Sequence, residues 1–333
     1  MTKGFNFDWL DDTDNSMVLL ETHFSKILAT KLKDKYLSNK KITEIIGNEK
    51  PYYQIKNSEP IRVKTLRKVI TCLDLNSINI SKNINYYNDK SPFTFKFPID
   101  LDRKESAILI GAFMSDGNNN ANHPFYCNKG CLKDKILNAV QTMLPRIPWE
   151  IRNEKHLRFH PVVSRTLLKL GVPIGDKILL NPKIPKFIYR NKIYKKEYLT
   201  QVFDDEGHAA TRASRKIVMG RNVAVKNLPK NFVSILTYKK TRYLKEIPLE
   251  IKKIIDKQPP NLLKGEQELL IEFGIKSSMR LRCITKYLDR VSASWVIEIS
   301  GKKNIEKFNN KIGFSHPDKI KKMKKYLEGY TQG

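Results

Sequence analysis

The sequence predicts an α+β protein: a small all-α module followed by two tandem half-domains of one design. Two apolar helical runs each end in an acid and a glycine, AILIGAFMSDG over residues 107–117 and YLTQVFDDEG over residues 198–207. Two later segments, LGVPIGDKI (170–178) and IGFSHPDKI (312–320), share the frame apolar, Gly, apolar, three variable residues, Asp, Lys, Ile. Between these landmarks each half reads helix, strands, helix, strands, helix, by the switch between helical and alternating apolar spacing.

The elements follow in order. Residues 1–22 read as a loosely held acidic lead-in. FSKILATKLKDKYL, KKITEIIG, PYYQIKN and IRVKTLRKVITCL are short amphipathic helices, with Gly47 as a stop signal and Pro51 suited to a first turn. They resemble a repressor-type helix-turn-helix module with PYYQIKN in the recognition position. Residues 76–100, rich in Asn, Ser and Tyr, read as a linker with one edge strand in SPFTFKFP. The domains are therefore expected at 1–95, 96–190 and 191–333. In the first half-domain DKILNAVQTML is the middle helix and WEIRNEKHLRF the later strand pair. In the second, EQELLIEFGIK is the middle helix, MRLRCITKYL and SWVIEIS are strands, and an insertion falls near 222–262.

Charge narrows the function. Lys and Arg number 62 against 34 Asp and Glu, a net +28, in a chain whose hydrophobic content of 40% is ample for real cores. Such an excess calls for a polyanionic partner, and nucleic acid leads because neutralised phosphates release counterions. No apolar run approaches the ~20 residues of a membrane span, and the acidic start is unlike a signal peptide. An intracellular protein of cytoplasm or nucleoid, with no membrane partner, is expected. His123, Cys127 and Cys131 are spaced as zinc ligands on a helix would be, but they lie on a predicted strand and turn, so buried or half-buried thiols are expected.

The two acid-glycine ends carry chemistry. A helix apolar all round is buried, and Gly111 with Ala112 lets another backbone approach. Gly117 and Gly207 are expected as left-handed caps. Asp116 and Glu206 would then stand at the ends of buried helices. If the helices pack side by side, the two carboxylates meet, and a divalent cation between or beside them would offset their repulsion. Tandem halves imply a pseudo-twofold arrangement, matching the twofold relation of the two strands of duplex DNA.

LIGAFMSDG (109–117) and LTQVFDDEG (199–207) resemble the signature helices of the LAGLIDADG homing endonuclease family, double-motif and monomeric type. EFGIKSSMRLR, LKLGVPIGDK and the stretch from WVIEIS to KKMKKYL are similar to its framework, so that the resemblance spans roughly residues 104–328. It implies two αββαββα half-domains whose antiparallel saddle lies along the major groove of double-stranded DNA. It also implies metal-dependent hydrolysis of both strands, by an intron-encoded or free-standing monomer. Asp116 and Glu206 would hold Mg²⁺, with Mn²⁺ able to substitute. Asn128, Lys129 and Arg221 would support catalysis near the metals. Arg152, Lys155 and Arg158 in one half, and Lys216, Arg280 and Arg282 in the other, are the expected DNA-contacting residues.

Two positions depart from the family pattern. Gln201 stands where the family favours Gly and Met114 replaces a frequent acid, while Asp204 and Asp205 are expected as helix-end or rim acids. Two other readings remain open: a non-cleaving DNA-binding regulator on the same scaffold, and an intron RNA maturase.

Overall fold

The helices Lys104–Met114 and Lys192–Glu206 pack directly against each other. Their contact depends on Gly111: a β-carbon there would lie 2.9 Å from Gln201 Cβ and 3.1 Å from the Tyr198 carbonyl oxygen. Every residue from Ser106 to Met114 is buried, as the all-round apolar character of this run requires. The computed structural model describes residues 6–8, 15–47, 50–75, 80–87, 94–128, 130–210, 216–287 and 290–328.

Each of these helices feeds straight into the first strand of its own sheet. The first half runs helix Lys104–Met114, strands Gly117–Asn118 and Phe125–Cys127, helix Cys131–Met143, strands Trp149–Arg152 and His156–Phe159, then helix Pro161–Lys169. The second repeats the order with helix Lys192–Glu206, strands Gly207–Ala210 and Lys216–Ala224, helix Asn261–Glu272, strands Ser278–Lys286 and Val291–Ser300, then helices Lys302–Lys311 and Pro317–Glu328. All strand pairings in both sheets are antiparallel. Within residues 225–260 lie helices Lys230–Ser234 and Leu249–Asp256 and the strand Thr241–Tyr243, which adds a fifth strand to the second sheet beside Ser278–Lys286.

The expected left-handed caps are corrected. Gly207 has φ −89° and ψ 152°, an ordinary extended backbone. Glycine is needed there because a β-carbon would lie 2.6 Å from the Phe203 carbonyl oxygen; at Gly117 it would lie 2.9 Å from Phe113 Cα. The chain turns from helix into strand so sharply that only hydrogen fits.

The N-terminal module is not all-α. Its helices Thr22–Tyr36, Asn39–Ile46, Lys50–Lys56 and Val63–Leu73 are joined by a four-stranded sheet in which Met17–Leu20 lies between Ile61–Arg62 and Ile84–Tyr87, with Thr94–Lys96 at the edge. The lead-in and the linker thus both supply strands. Their aromatic and aliphatic side chains explain it: Val18, Leu20, Tyr86, Phe95 and Phe97 are buried, and the Tyr86 and Phe95 rings stack 4.8 Å apart. Tyr86 also meets His160 edge-on and accepts a hydrogen bond from Arg165, so the module is seated on the first half-domain. The Gly47 turn, at φ 94°, separates the second and third helices.

Candidate functional site

Arg221 holds the C-terminal ends of the paired helices together. Strand Lys216–Ala224 alternates, and Arg221 falls on the same face as the buried Ile217, Met219 and Val223. Its guanidinium donates to Glu266 Oε1 at 2.6 Å and, less closely, to Oε2. It also donates to the Met114 carbonyl at 2.8 Å, to Ser115 Oγ at 3.2 Å and to Glu206 Oε1 at 3.3 Å. One side chain of the second half therefore closes the end of the first half's helix. Burial works against its charge, but Glu266 and then Glu206 outweigh that cost and hold the guanidinium above arginine's ordinary value. Glu266 itself is completely buried and also accepts from Tyr198.

The repeated Asp-Lys-Ile segments supply two more cations. Lys177 Nζ donates to the carbonyls of Phe113, Ser115 and Gly117, and Lys319 Nζ donates to those of Phe203, Asp204 and Gly207. Each lysine caps the carbonyl end of one acid-bearing helix, where the helix dipole is negative. Burial, and then Arg221, lower the Lys177 amine to about 8 against the opposing pull of Glu206, Asp116 and Asp205.

Asp116, Asp205 and Glu206 share this neighbourhood. Burial raises all three carboxyls, against the nearby cations at Asp116 and Glu206. Asn128 stands where the resemblance put a polar group: its amide donates to Asp116 at 3.1 Å, to Tyr126 Oη at 3.3 Å and to Asp205 at 3.4 Å. Asp205 stands at the end of its helix, one of the two places expected, and is turned inward. It accepts from Tyr126 and Gln201, and burial pushes its carboxyl up to about 7. Gln201, fully buried, also donates to Tyr126 on the first half's strand Phe125–Cys127 at 3.4 Å. Lys129 lies outside the described residues.

Asp204 has a separate duty. It accepts from the backbone N–H groups of Ser315 and His316, from the Ser315 hydroxyl and from Lys135. In the first half the corresponding positions are Met114 and Pro173. Proline has no N–H to satisfy, so the acceptor and its donor are absent together.

The other expected residues are on or beside the sheets. Arg152 and Lys155 are exposed, the latter at a hairpin tip, and Arg158 is partly covered. In the second sheet Arg280 and Arg282 are exposed, Arg282 at the irregularity between Leu281 and Cys283, and Lys216 is half-buried. Arg221 alone of the set points into the core. A sequence signal for that existed: alternation from Ile217 puts position 221 inward, and Glu266 falls on the apolar stripe of its helix with Leu262, Leu263, Leu269 and Leu270. Lys177 and Lys319 stood within the repeated segments without a role.

No known family description matches the chain, and no curated protein is similar to it at a significant level. Two solved structures of DUF199/WhiA are similar. One is full-length DUF199/WhiA from Thermatoga maritima, at 11% identity and a TM-score of 0.35, covering 68% of this chain and 61% of that one. The other is the N-terminal LAGLIDADG domain of DUF199/WhiA, at 10% identity and a TM-score of 0.33, covering 65% of this chain and 86% of that one. The chain thus spans less than two thirds of full-length DUF199/WhiA. The expectation of an active metal-dependent DNA endonuclease is corrected, and the site's own residues supply the physical reason.

Magnesium or manganese does not fit that site. Glu206 is ion-paired with Arg221 at 3.3 Å, and Lys177 and Lys319 lie close enough to act on Asp116. A divalent ion held by Asp116 and Glu206 would face three fixed cations. Among the described residues no three His, Cys, Asp or Glu side chains form a metal-ligand group.

Two predictions follow from this geometry. Arg221→Met leaves Glu266 buried without its cation and should lower stability by about 3–5 kcal/mol in urea titration. Adding Glu266→Leu should recover part of the loss; strictly additive losses would contradict the pairing. Asp205 has a folded pKa of about 7 against an ordinary 3.8. The folded state therefore holds its proton more tightly, and this contribution is present below about pH 4 and lost as pH rises through 7. Wild type should lose roughly 1–3 kcal/mol from this group between pH 5 and 8, and Asp205→Asn should flatten the decline. Parallel pH profiles for the two proteins would refute the assignment.

Proposed function

We propose that this chain is a non-cleaving duplex-DNA-binding protein, of the regulator kind, built on a LAGLIDADG-like scaffold. The observation that carries the reading is the outward face of the two sheets. Cross-strand register puts Arg158 opposite Glu150 and next to Arg152 in the first sheet, and groups Lys216 and Arg280 around Glu298 in the second, on the face away from Ile217, Met219 and Ile297. The antiparallel strands would run along the major groove, which admits side chains with hydrogen-bonding forks to base edges. The net charge of +28 supports a polyanionic partner.

The acid cluster supports binding without cutting. Its negative charge is balanced from inside by Arg221, Lys177 and Lys319, so it serves to lock the paired helices and set the angle of the two sheets. One chain contributes both sheets and can span a site as a monomer. The helices Asn39–Ile46 and Lys50–Lys56, with exposed Lys50, Tyr53 and Lys56, supply a second contact. No helix of the described residues is long and apolar enough to cross a membrane.

The test is selection of a bound duplex from a random library, followed by gel-shift titration in EDTA and in Mg²⁺. Affinity should agree within about twofold in the two buffers. The logarithmic salt slope should be about −4 to −6, as expected for that many cations at phosphates. The duplex should stay intact in Mg²⁺. Loss of binding in EDTA, or failure to enrich any duplex, would overturn the reading.

A further inference from the structure

Four of the six expected DNA-contacting cations, Arg152, Arg158, Lys216 and Arg280, are held in ion pairs on the outward sheet faces. In the first sheet Glu150 Oε1 accepts from Arg152 Nε at 2.8 Å and from Arg158 Nη1 at 3.0 Å. In the second, Glu298 Oε1 accepts from Lys216 Nζ at 2.8 Å and from Arg280 Nη2 at 2.6 Å and Nε at 3.2 Å. The two acids are not equivalents in the repeat: Glu150 sits on the third strand of its half and Glu298 on the fourth. Each half has thus reached one acid gripped by two bases by its own route. Unneutralised acids are costly on a surface meant for phosphates, so their placement amid these bases calls for a role.

Resting on the reading of this surface as a DNA contact, we infer that Glu150 and Glu298 are specificity-determining residues that hold the flanking bases in register along the sheet and withhold them from indiscriminate phosphate contact. A free arginine on a flat sheet can swing to any phosphate, and such contacts give affinity without sequence information. A fork fixed by a carboxylate has lost that freedom. To touch phosphate it must break a charge-assisted pair, and to meet a guanine O6/N7 edge it needs only the donors left over. The carboxylate can also accept from a cytosine N4 amine, and it repels phosphate at the wrong register. Nearby bases hold both carboxyls below the ordinary glutamate value despite some cost of burial, Arg152 leading at Glu150 and Arg280 at Glu298. Both acids therefore remain ionised at neutral pH.

The experiment compares wild type with Glu150→Gln, Glu298→Gln and the double variant, binding the selected duplex and a scrambled duplex of equal length across a salt series. Glu250→Gln serves as control, because it removes the same charge from an exposed helix of the inserted segment. The double variant should bind scrambled DNA about tenfold more tightly while its affinity for the selected duplex changes by less than about threefold, so that the specificity ratio falls. Its salt slope on scrambled DNA should steepen by about one to two, as freed bases reach phosphates. Glu250→Gln should leave the ratio unchanged. A ratio preserved in the double variant would overturn the inference, as would an equal gain on both duplexes or a matching change in Glu250→Gln. Failure of wild type to bind any duplex would overturn the DNA reading and this inference together, a result distinct from binding with an unchanged ratio.

Discussion

The structure depends on a guanidinium buried where two helices end. Arg221 reaches from the second sheet to the Met114 carbonyl and Ser115 hydroxyl of the first half and to Glu206 and Glu266 of its own. A buried ion pair gains little net stability over a well-packed apolar pair, because both charges must be desolvated. What it supplies is geometry. Five hydrogen bonds from one planar fork admit few arrangements of the four groups that accept them. The relative position of the two halves is thereby specified at the point where their acids converge.

The lysines complete this arrangement symmetrically. Lys177 and Lys319 close the carbonyl ends of the two helices from matching positions of the repeat. Glycines 117 and 207 let the backbone turn tightly enough for those carbonyls to gather around one amine. The halves then diverge in compensated ways. Gln201 fills the space that Gly111 leaves, and Asp204 with Ser315 replaces Met114 with Pro173. Each divergence changes a donor and an acceptor, or a volume and its complement, together.

Much of the fold was legible in the sequence, because the apolar periodicity of the half-domains is strong and the repeat marks its own boundaries. The helix and strand order, the meeting of Asp116 with Glu206's neighbourhood, and Asn128 beside Asp116 could all be anticipated. The N-terminal strands could not: MVLL and INYY are too short for alternation to speak, and they become strands only by pairing with each other. The direction of Arg221 was readable from the parity of its strand, but an arginine after a strand of apolar residues suggests a surface tip unless its partner is known. That partner, Glu266, is distant in sequence. Resemblance to a nuclease family drew the acids toward metal, whereas the three cations that surround them arise from tertiary packing.

We propose that these internal cations take the place of a divalent ion. Titration of the protein with Mn²⁺, following free Mn²⁺ by its electron paramagnetic resonance signal, tests it without reference to any activity. No stoichiometric site of submillimolar affinity is expected, and Glu206→Gln should leave the titration unchanged. One tight Mn²⁺ equivalent per chain, lost in Asp116→Asn or Glu206→Gln, would contradict it.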